Sequence, residues 1–521
     1  MNKFSDSGQN DCAAGELTGR FISKQDFIYI IILTIVALVI GVYLIATTVL
    51  ISKDGIFYIK QTQNLSNDLI NTIREHPPGY PFLIFLTHRF ASLFGCGTSI
   101  QCWCYCAQST SLLCRLLAII PLYFIGKLLI GDKNSFWAIL ILIILPYPAA
   151  SGSDVLREWP HILFLAASLL FLILGSKSGK WWVFAITGFT AGLGHLIRPE
   201  CAQTVIYGSV WLLINLFSPR PNINRLKSIY LIAAIIIGFM IPTIPYFKIK
   251  GEILPPKLKK LISNTIPGQL NNIEQTGRET CTASAVPIDT AKASVKFIQM
   301  TSDNMMHFFI LPLVIGFYTQ YRRTQQWLFT GWFFILILLA VYFVMAVLLY
   351  INYGYISRRH DMPFIVFAIF YVPLGLQILA SWLNKKTSKI NAVTGKNVQK
   401  WFIILTVTGL SLCAAKFIRI VPLRWDKQGY RDTAEWLTKN TDPADIIAVP
   451  DRRITFYAQR QDIEYDEKIP VQENGLRGAG YIVFKNKNGK LELNKETKEV
   501  YSTLMNKREK NLKISTYKVS H

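Results

Sequence analysis

Long apolar runs separated by short polar breaks dominate the chain. Runs near the roughly 20 residues that a spanning helix needs recur at 27–50, 109–130, 136–150, 155–175, 181–197, 201–217, 228–247, 307–319, 326–351, 362–382 and 401–421. This pattern predicts a polytopic α-helical membrane protein of about eleven spans, or about 11 to 13 once ambiguous stretches are counted. The first run follows a charged leader and lacks a small-residue cleavage site, so it reads as a retained anchor rather than a signal peptide. From Pro422 onward the pattern changes to 19 Lys+Arg and 15 Asp+Glu, with strand-like runs at 445–449 and 480–484 and a helical stretch at 430–439. The chain therefore divides into a membrane portion, 1–421, and a small C-terminal soluble α/β domain, 422–521.

Charge fixes the orientation. The loops holding Lys177 and Lys180, Arg220 with Arg225 and Lys227, Arg322 with Arg323, and residues 385–400 are short, basic and free of acids, which marks them as cytoplasmic. Alternation then places on the outer face residues 53–108 (the first outer loop and juxtamembrane region), 151–154, 198–200, 249–303 (a long outer loop), 352–361 and the C-terminal domain. The same parity allows one net crossing before Ser109, although two apolar stretches lie there. Residues 79–95 are short, carry His88 and Arg89 and follow Pro77 and Pro78, so they are expected to form a juxtamembrane or re-entrant helix. The alternative is that they cross and that the Cys-rich stretch after them crosses back.

Composition agrees: 51% of the residues are hydrophobic, 17% charged, and mean hydropathy is +0.31. The formal charge of +23 sits in interhelical loops, which argues against a nucleic-acid partner. Four of nine cysteines crowd into Cys96, Cys102, Cys104 and Cys106. They lack C-x-x-C spacing, so a structural or disulfide role is expected ahead of a metal site.

Only 17 of the 32 acids precede Pro422, and Asp54, Glu75, Asp154, Glu158, Glu200 and Asp361 all flank spans on the outer face. Ionisable groups near hydrocarbon are costly, so six on one face imply a polar cavity there, with Arg157, Arg198, Arg358, Arg359, His76, His195 and His360 supplying cations. Asp54 follows the first span, one helical turn before Tyr58, where a partly buried carboxylate can act as general base; the plain alternative is an interfacial acid paired with Lys53. Glu75 and His76 open the rigid turn Glu75-His76-Pro77-Pro78-Gly79; the plain alternative is a helix-breaking turn at the interface. Asp154 and Glu158 stand four apart around Arg157, an arrangement that also suits a helix start. Arg358, Arg359 and His360 offer guanidinium forks to a phosphate, or to ordinary headgroups.

In this order the motifs resemble the GT-C membrane glycosyltransferases, in particular the protein O-mannosyltransferases and the lipid A aminoarabinose transferase. The marks are Asp54 with Tyr58 after the first span, the E-x-P-P-like turn, Asp154 in the second outer loop, the late R-H-x-x-P motif of Arg359, His360 and Pro363, and a terminal soluble domain. The resemblance implies a polyprenyl-phosphate sugar donor, Asp54 as general base of an inverting transfer, a donor phosphate held by Arg358, Arg359 and His360, and a lipid, glycan or protein acceptor. Asp154 and Glu75 would then position acceptor or sugar, with Tyr58, His76, Arg157, Glu158 and Arg198 around them. The usual lysine of the family turn is replaced by His76, and Glu158 competes with Asp154 for the second acidic role. A divalent metal is possible under the resemblance but is not required by it. The implied location is a bacterial inner (plasma) membrane with the site facing the periplasm. The alternative from another class is a transporter or flippase of lipid-linked sugars, which would show related halves and mid-membrane polar groups in broken helices.

Overall fold

The computed structural model describes residues 22–218, 223–251, 290–323, 331–387, 395–465, 478–487, 497–506 and 512–519. Residues 252–289, most of the expected outer loop 249–303, lie outside them. The chain opens with α1 (Lys24–Ala46), whose start is fixed by a capping box between Ser23 and Asp26. Three short helices follow: α2 (Lys53–Asn64), α3 (Leu69–Glu75) and α4 (Gly79–Ser92). The long α5 (Ile100–Ile130) then returns antiparallel to α1. Asp26, at the start of α1, accepts hydrogen bonds from Lys127 Nζ at 2.6 Å and Tyr123 Oη at 2.7 Å near the end of α5. Residues 47–99 consequently stay at one end of the bundle. At 14 residues α4 is about 21 Å long, short of the roughly 30 Å hydrocarbon thickness.

The bundle continues with α6 (Asp132–Ile144), α7 (Pro146–Ser151), α8 (Glu158–Ser178), α9 (Trp181–His195), α10 (Gln203–Phe217) and α11 (Arg225–Lys250). After the long loop come α12 (Thr290–Asn304), α13 (Ile310–Arg323), α14 (Gly331–Tyr353), α15 (Arg358–Ala368), α16 (Tyr371–Thr387) and α17 (Gly395–Ile420). Helices α5, α8 and the α15–α16 pair all start at the end that holds 47–99 and finish in Lys127, Lys177 and Lys385–Lys386 at the other.

Among the described residues six helices are long and apolar enough to span a membrane, or seven if α15 and α16, bent by 61°, make one span. This is fewer than the expected eleven to thirteen. The runs at 136–150, 181–197, 201–217 and 307–319 fold as helices of 13 to 15 residues, because glycine, proline and polar breaks interrupt them. One large core links α1, α5, α6, α8–α11 and α14–α17.

The C-terminal part forms a five-stranded mixed sheet of order β2-β1-β3-β5-β4 from β1 (Ile446–Val449), β2 (Gln461–Glu464), β3 (Tyr481–Lys487), β4 (Thr497–Leu504) and β5 (Leu512–Val519). Strands β1, β2 and β3 are parallel, and β3, β5 and β4 antiparallel. Helices α18 (Gln428–Asn440) and α19 (Arg453–Ala458) accompany it. The domain grips the segment after α1. Leu50 is fully buried in the domain core, a placement worth about 1.5–3 kcal/mol, while Val49 N–H donates to Leu423 O at 3.1 Å and Ile51 N–H to Tyr457 Oη at 3.1 Å.

Candidate functional site

The site is built on the start of α2. Ser52 caps this helix, its Oγ accepting from Gly55 N at 3.1 Å, which sets Asp54 in the first turn and Tyr58 one turn later on the same face. Tyr58 is buried edge-on against Tyr80 of α4, ring centroids 5.0 Å apart. Phe57 takes His76 in the same way at 4.7 Å. The turn between α3 and α4 is held by Gly79 N–H donating to Leu196 O at 2.7 Å; a Cβ at Gly79 would lie 2.7 Å from that carbonyl oxygen, so glycine alone allows the approach. These contacts belong to a small apolar cluster that also holds Ile56, Trp103, Val155, Ile197 and Phe456 of the C-terminal domain.

An open cleft of about 570 Å³ lies over this cluster, and its lining includes Asp54, Tyr58, His76, Arg157, Arg452 and Glu464. Asp54, on its wall, pairs with Arg359, at the start of α15 and 305 positions away in sequence. Both members of the pair keep solvent access, Asp54 being 45% and Arg359 36% exposed. Lys53 instead reaches Asp451 at 3.7 Å and Glu464 at 4.0 Å, so the plain pairing of Asp54 with Lys53 is replaced by a cross-chain one.

Glu158 is buried beside the cleft at the start of α8, and its Oε2 has no hydrogen-bond partner among the described residues. The field at Arg359 contains Glu158, Asp54 and Tyr147, and that at Tyr147 contains Glu158, Arg359 and Arg358. Burial pushes the Tyr58 hydroxyl above its ordinary range; Arg157 and Arg198 pull it down, while Glu158 and Asp54 push it further up. Asp54, Tyr58, Arg157, Glu158, Arg198, Arg358 and Arg359 are thereby brought into one neighbourhood. Arg198 also donates to Glu200 at 3.0 Å.

Asp154 is placed differently. It is 2% exposed, and both its oxygens are engaged: Oδ1 accepts from Ser52 N at 2.9 Å and Val155 N at 2.8 Å, and Oδ2 pairs with Arg424. Arg424 also donates to Leu50 O at 2.7 Å. His360 turns back to Ser357, its Nδ1 3.1 Å from Ser357 Oγ in the cap of α15. Glu75 ends α3, and its side chain lies outside the described residues. Sequence reasoning missed Arg424, Tyr147, Arg452 and Glu464; only Arg424, beside the break at Pro422, sits near a recognisable boundary.

Among the described residues the acids of the cleft do not converge within the reach of a shared metal ion. The one trio of ligand atoms that does is Cys96, Cys102 and Cys106. A divalent cation at Asp54 would have to compete with Arg359 for the carboxylate.

Residues 75–246 match the family model described as dolichyl-phosphate-mannose-protein mannosyltransferase. The matched segment runs from the Glu75–Gly79 turn through α11, and so includes Asp154, Glu158 and Arg198. Among solved structures the chain is similar to ArnT from Cupriavidus metallidurans bound to undecaprenyl phosphate, at TM-score 0.56 and 14% identity, covering 84% of this chain and 85% of that one. It is also similar to the archaeal oligosaccharyltransferase AglB from Archaeoglobus fulgidus in complex with an inhibitory peptide and a dolichol-phosphate, at TM-score 0.53 and 12% identity, covering 88% of this chain and 70% of that one. No curated protein sequence matches the chain. At these identities the likeness is one of fold, and it agrees with the order of the motifs: the chain has the GT-C fold of membrane glycosyltransferases.

Proposed function

We propose that this protein is a glycosyltransferase of a bacterial inner membrane, moving a sugar from a polyprenyl-phosphate donor to an acceptor hydroxyl at the outer face with inversion. The observation that carries the reading is the pairing of Arg359 with Asp54, on the wall of an open cleft, at the end of the bundle opposite the basic loops. The structural neighbours support the donor class, since one is bound to undecaprenyl phosphate and the other to a dolichol-phosphate.

In the reaction Asp54 takes the proton from the acceptor hydroxyl. The oxygen attacks the anomeric carbon, and the bond to the donor phosphate breaks on the opposite face. Arg359, aided by Arg358, stabilises the charge that develops on the departing phosphate, a contribution often worth several kcal/mol. Among the described residues neither Arg358 nor Arg157 is held in an ion pair, so both guanidiniums can turn to a phosphate. Inversion requires base and leaving group on opposite sides of the sugar, so the Asp54–Arg359 pair must open when donor binds. Donor phosphate takes over Arg359 and releases Asp54, which orders the steps: donor first, proton abstraction after. His360 shapes the start of α15 that presents the arginines. Glu75, His76, Tyr58, Glu158 and Arg198 position sugar or acceptor, and Asp154 positions the start of α2 from behind. Acceptor choice, whether lipid, glycan or protein, falls to the wall formed by Arg452 and Glu464 and to the loop 249–303.

The test is to incubate the purified protein in lipid with a panel of radiolabelled polyprenyl-phosphate sugars. Consumption of one donor by the wild type and by no Asp54→Asn sample is the expected result. Equal consumption by both would remove Asp54 as base, and turnover of no donor in the panel would count against the transferase reading.

A further inference from the structure

We propose that Cys96, Cys102 and Cys106 form an exchangeable disulfide, with Cys96 able to pair with either of two cysteines one helical turn apart on α5. Cys96 lies in the loop after α4, bonded to Cys102 with the two Cα atoms 6.1 Å apart. Cys106 is buried as a free thiol directly beside that bond, its Sγ 3.8 Å from Cys96 Sγ and 4.0 Å from Cys102 Sγ. The remaining cysteine of the run faces elsewhere, Cys104 Sγ lying 3.9 Å from Tyr457 Oη. Exchange needs the attacking sulfur close to the one attacked and in line with the bond that breaks; Cys106 Sγ, 3.8 Å from Cys96 Sγ, meets the first condition, and a turn of the Cys96–Cys102 bond meets the second.

The step is redox-neutral and needs no co-reactant. Cys106 loses its proton to water, its thiolate attacks Cys96 Sγ, the Cys96–Cys102 bond breaks, and Cys102 leaves as a thiolate that takes up a proton. Four residues along a helix are about 6 Å, so exchange slides the loop tether by one turn of α5. The loop is short and folded against this helix: His88 of α4 stacks on Trp103 at 3.5 Å and its Nε2 lies 3.3 Å from Gly97 O. The moving tether therefore bears directly on α4, whose other end packs Tyr80 against Tyr58 of the cleft wall.

The test uses the full-length protein in lipid nanodiscs, held at mildly alkaline pH, quenched in acid, alkylated with N-ethylmaleimide and digested unreduced with chymotrypsin. Cleavage after Trp103 and Tyr105 leaves Cys96 and Cys102 on one peptide and Cys106 on another, so the two pairings separate by mass. Wild type is expected to yield both Cys96–Cys102 and Cys96–Cys106. Cys102→Ser is expected to give Cys96–Cys106 with no alkylated Cys96, and Cys106→Ser to give Cys96–Cys102 alone. Absence of Cys96–Cys106 from wild type or from Cys102→Ser overturns the proposal. So does a Cys102–Cys106 linkage, which would cut the tether, and so do three free thiols shielded from alkylation until a chelator is added, which would assign a soft-metal site instead.

Discussion

Two aspartate–arginine pairs stand on either side of the start of α2. Asp54, on the wall of the open cleft, meets Arg359, each more than a third exposed, and the pair joins the segment after α1 to the late arginine motif. Asp154 and Arg424 meet beneath it, the carboxylate 3% exposed and saturated by two backbone N–H groups besides the guanidinium. The same pair of side chains thus serves two ends. An exposed ion pair is worth about 0–1 kcal/mol and exchanges readily with a ligand, whereas a buried, fully bonded pair holds its geometry and is costly to break from one side. The first can open during a reaction; the second locks the helix that carries the first.

Breaking the open pair should have the largest effect on turnover. Asp54→Asn is expected to lower transfer by at least about a hundredfold, because general-base catalysis commonly supplies that much, while the melting temperature in detergent stays near wild type. A variant that loses activity only in step with its stability would erase the distinction between the pairs. The buried pair predicts the reverse. Asp154→Ala leaves Arg424 and two backbone donors facing a vacancy and should cost about 3–5 kcal/mol, read as a fall in melting temperature and a rise in proteolysis of the C-terminal domain. Transfer should fall in step with that loss of stability; an unchanged melting curve with lost turnover would move Asp154 into the reacting group.

Arg359→Lys sharpens the comparison more gently. The charge remains but the planar fork does not, so transfer should fall by about tenfold with little change in stability. An identical kcat and KM in Arg359→Lys would show that the phosphate is held elsewhere.

Much of this contrast was legible before any coordinates. The count of apolar runs and basic loops put Asp54, Asp154, Glu158, Arg198 and Arg359 on one face; in the structure Asp54 and Glu158 share the field of Arg359, Arg198 that of Tyr58, and Asp154 binds the backbone of Ser52 at the start of α2. The change of composition at Pro422 marked a domain that the sheet supplies. What could not be read was pairing. Nothing local to Asp154 names Arg424, because the contact joins residues 270 apart through a loop after α17. The number of spans was not legible for a related reason: runs such as 181–197 are apolar enough, but hydropathy does not register where a helix such as α9 stops at His195. The edge of the cleft made by Arg452 and Glu464 was illegible because both sit in the C-terminal sheet region, rich in charge of both signs.

The smallest expected effect concerns the grip of the C-terminal domain on the base of α2, and it is a pH effect. Burial alone would raise the Asp451 carboxyl, but the Arg453 fork, donating from Nε at 2.9 Å and Nη2 at 2.6 Å, outweighs it and holds the group below its ordinary range, with Lys53 helping. A carboxylate whose folded pKa is depressed contributes stability above its unfolded value of about 4, and loses it as pH falls through the folded value. Arg453 also donates to Ile51 O at 3.4 Å, so protonating Asp451 loosens the segment that leads into Ser52 and Asp54. Thermal melting of the wild type should therefore drop more steeply below about pH 4 than that of Asp451→Asn, which has no such proton to bind. If the two variants lose stability in parallel through that window, the acid sensitivity of the domain lies in other carboxylates and the Asp451–Arg453 pair carries none of it.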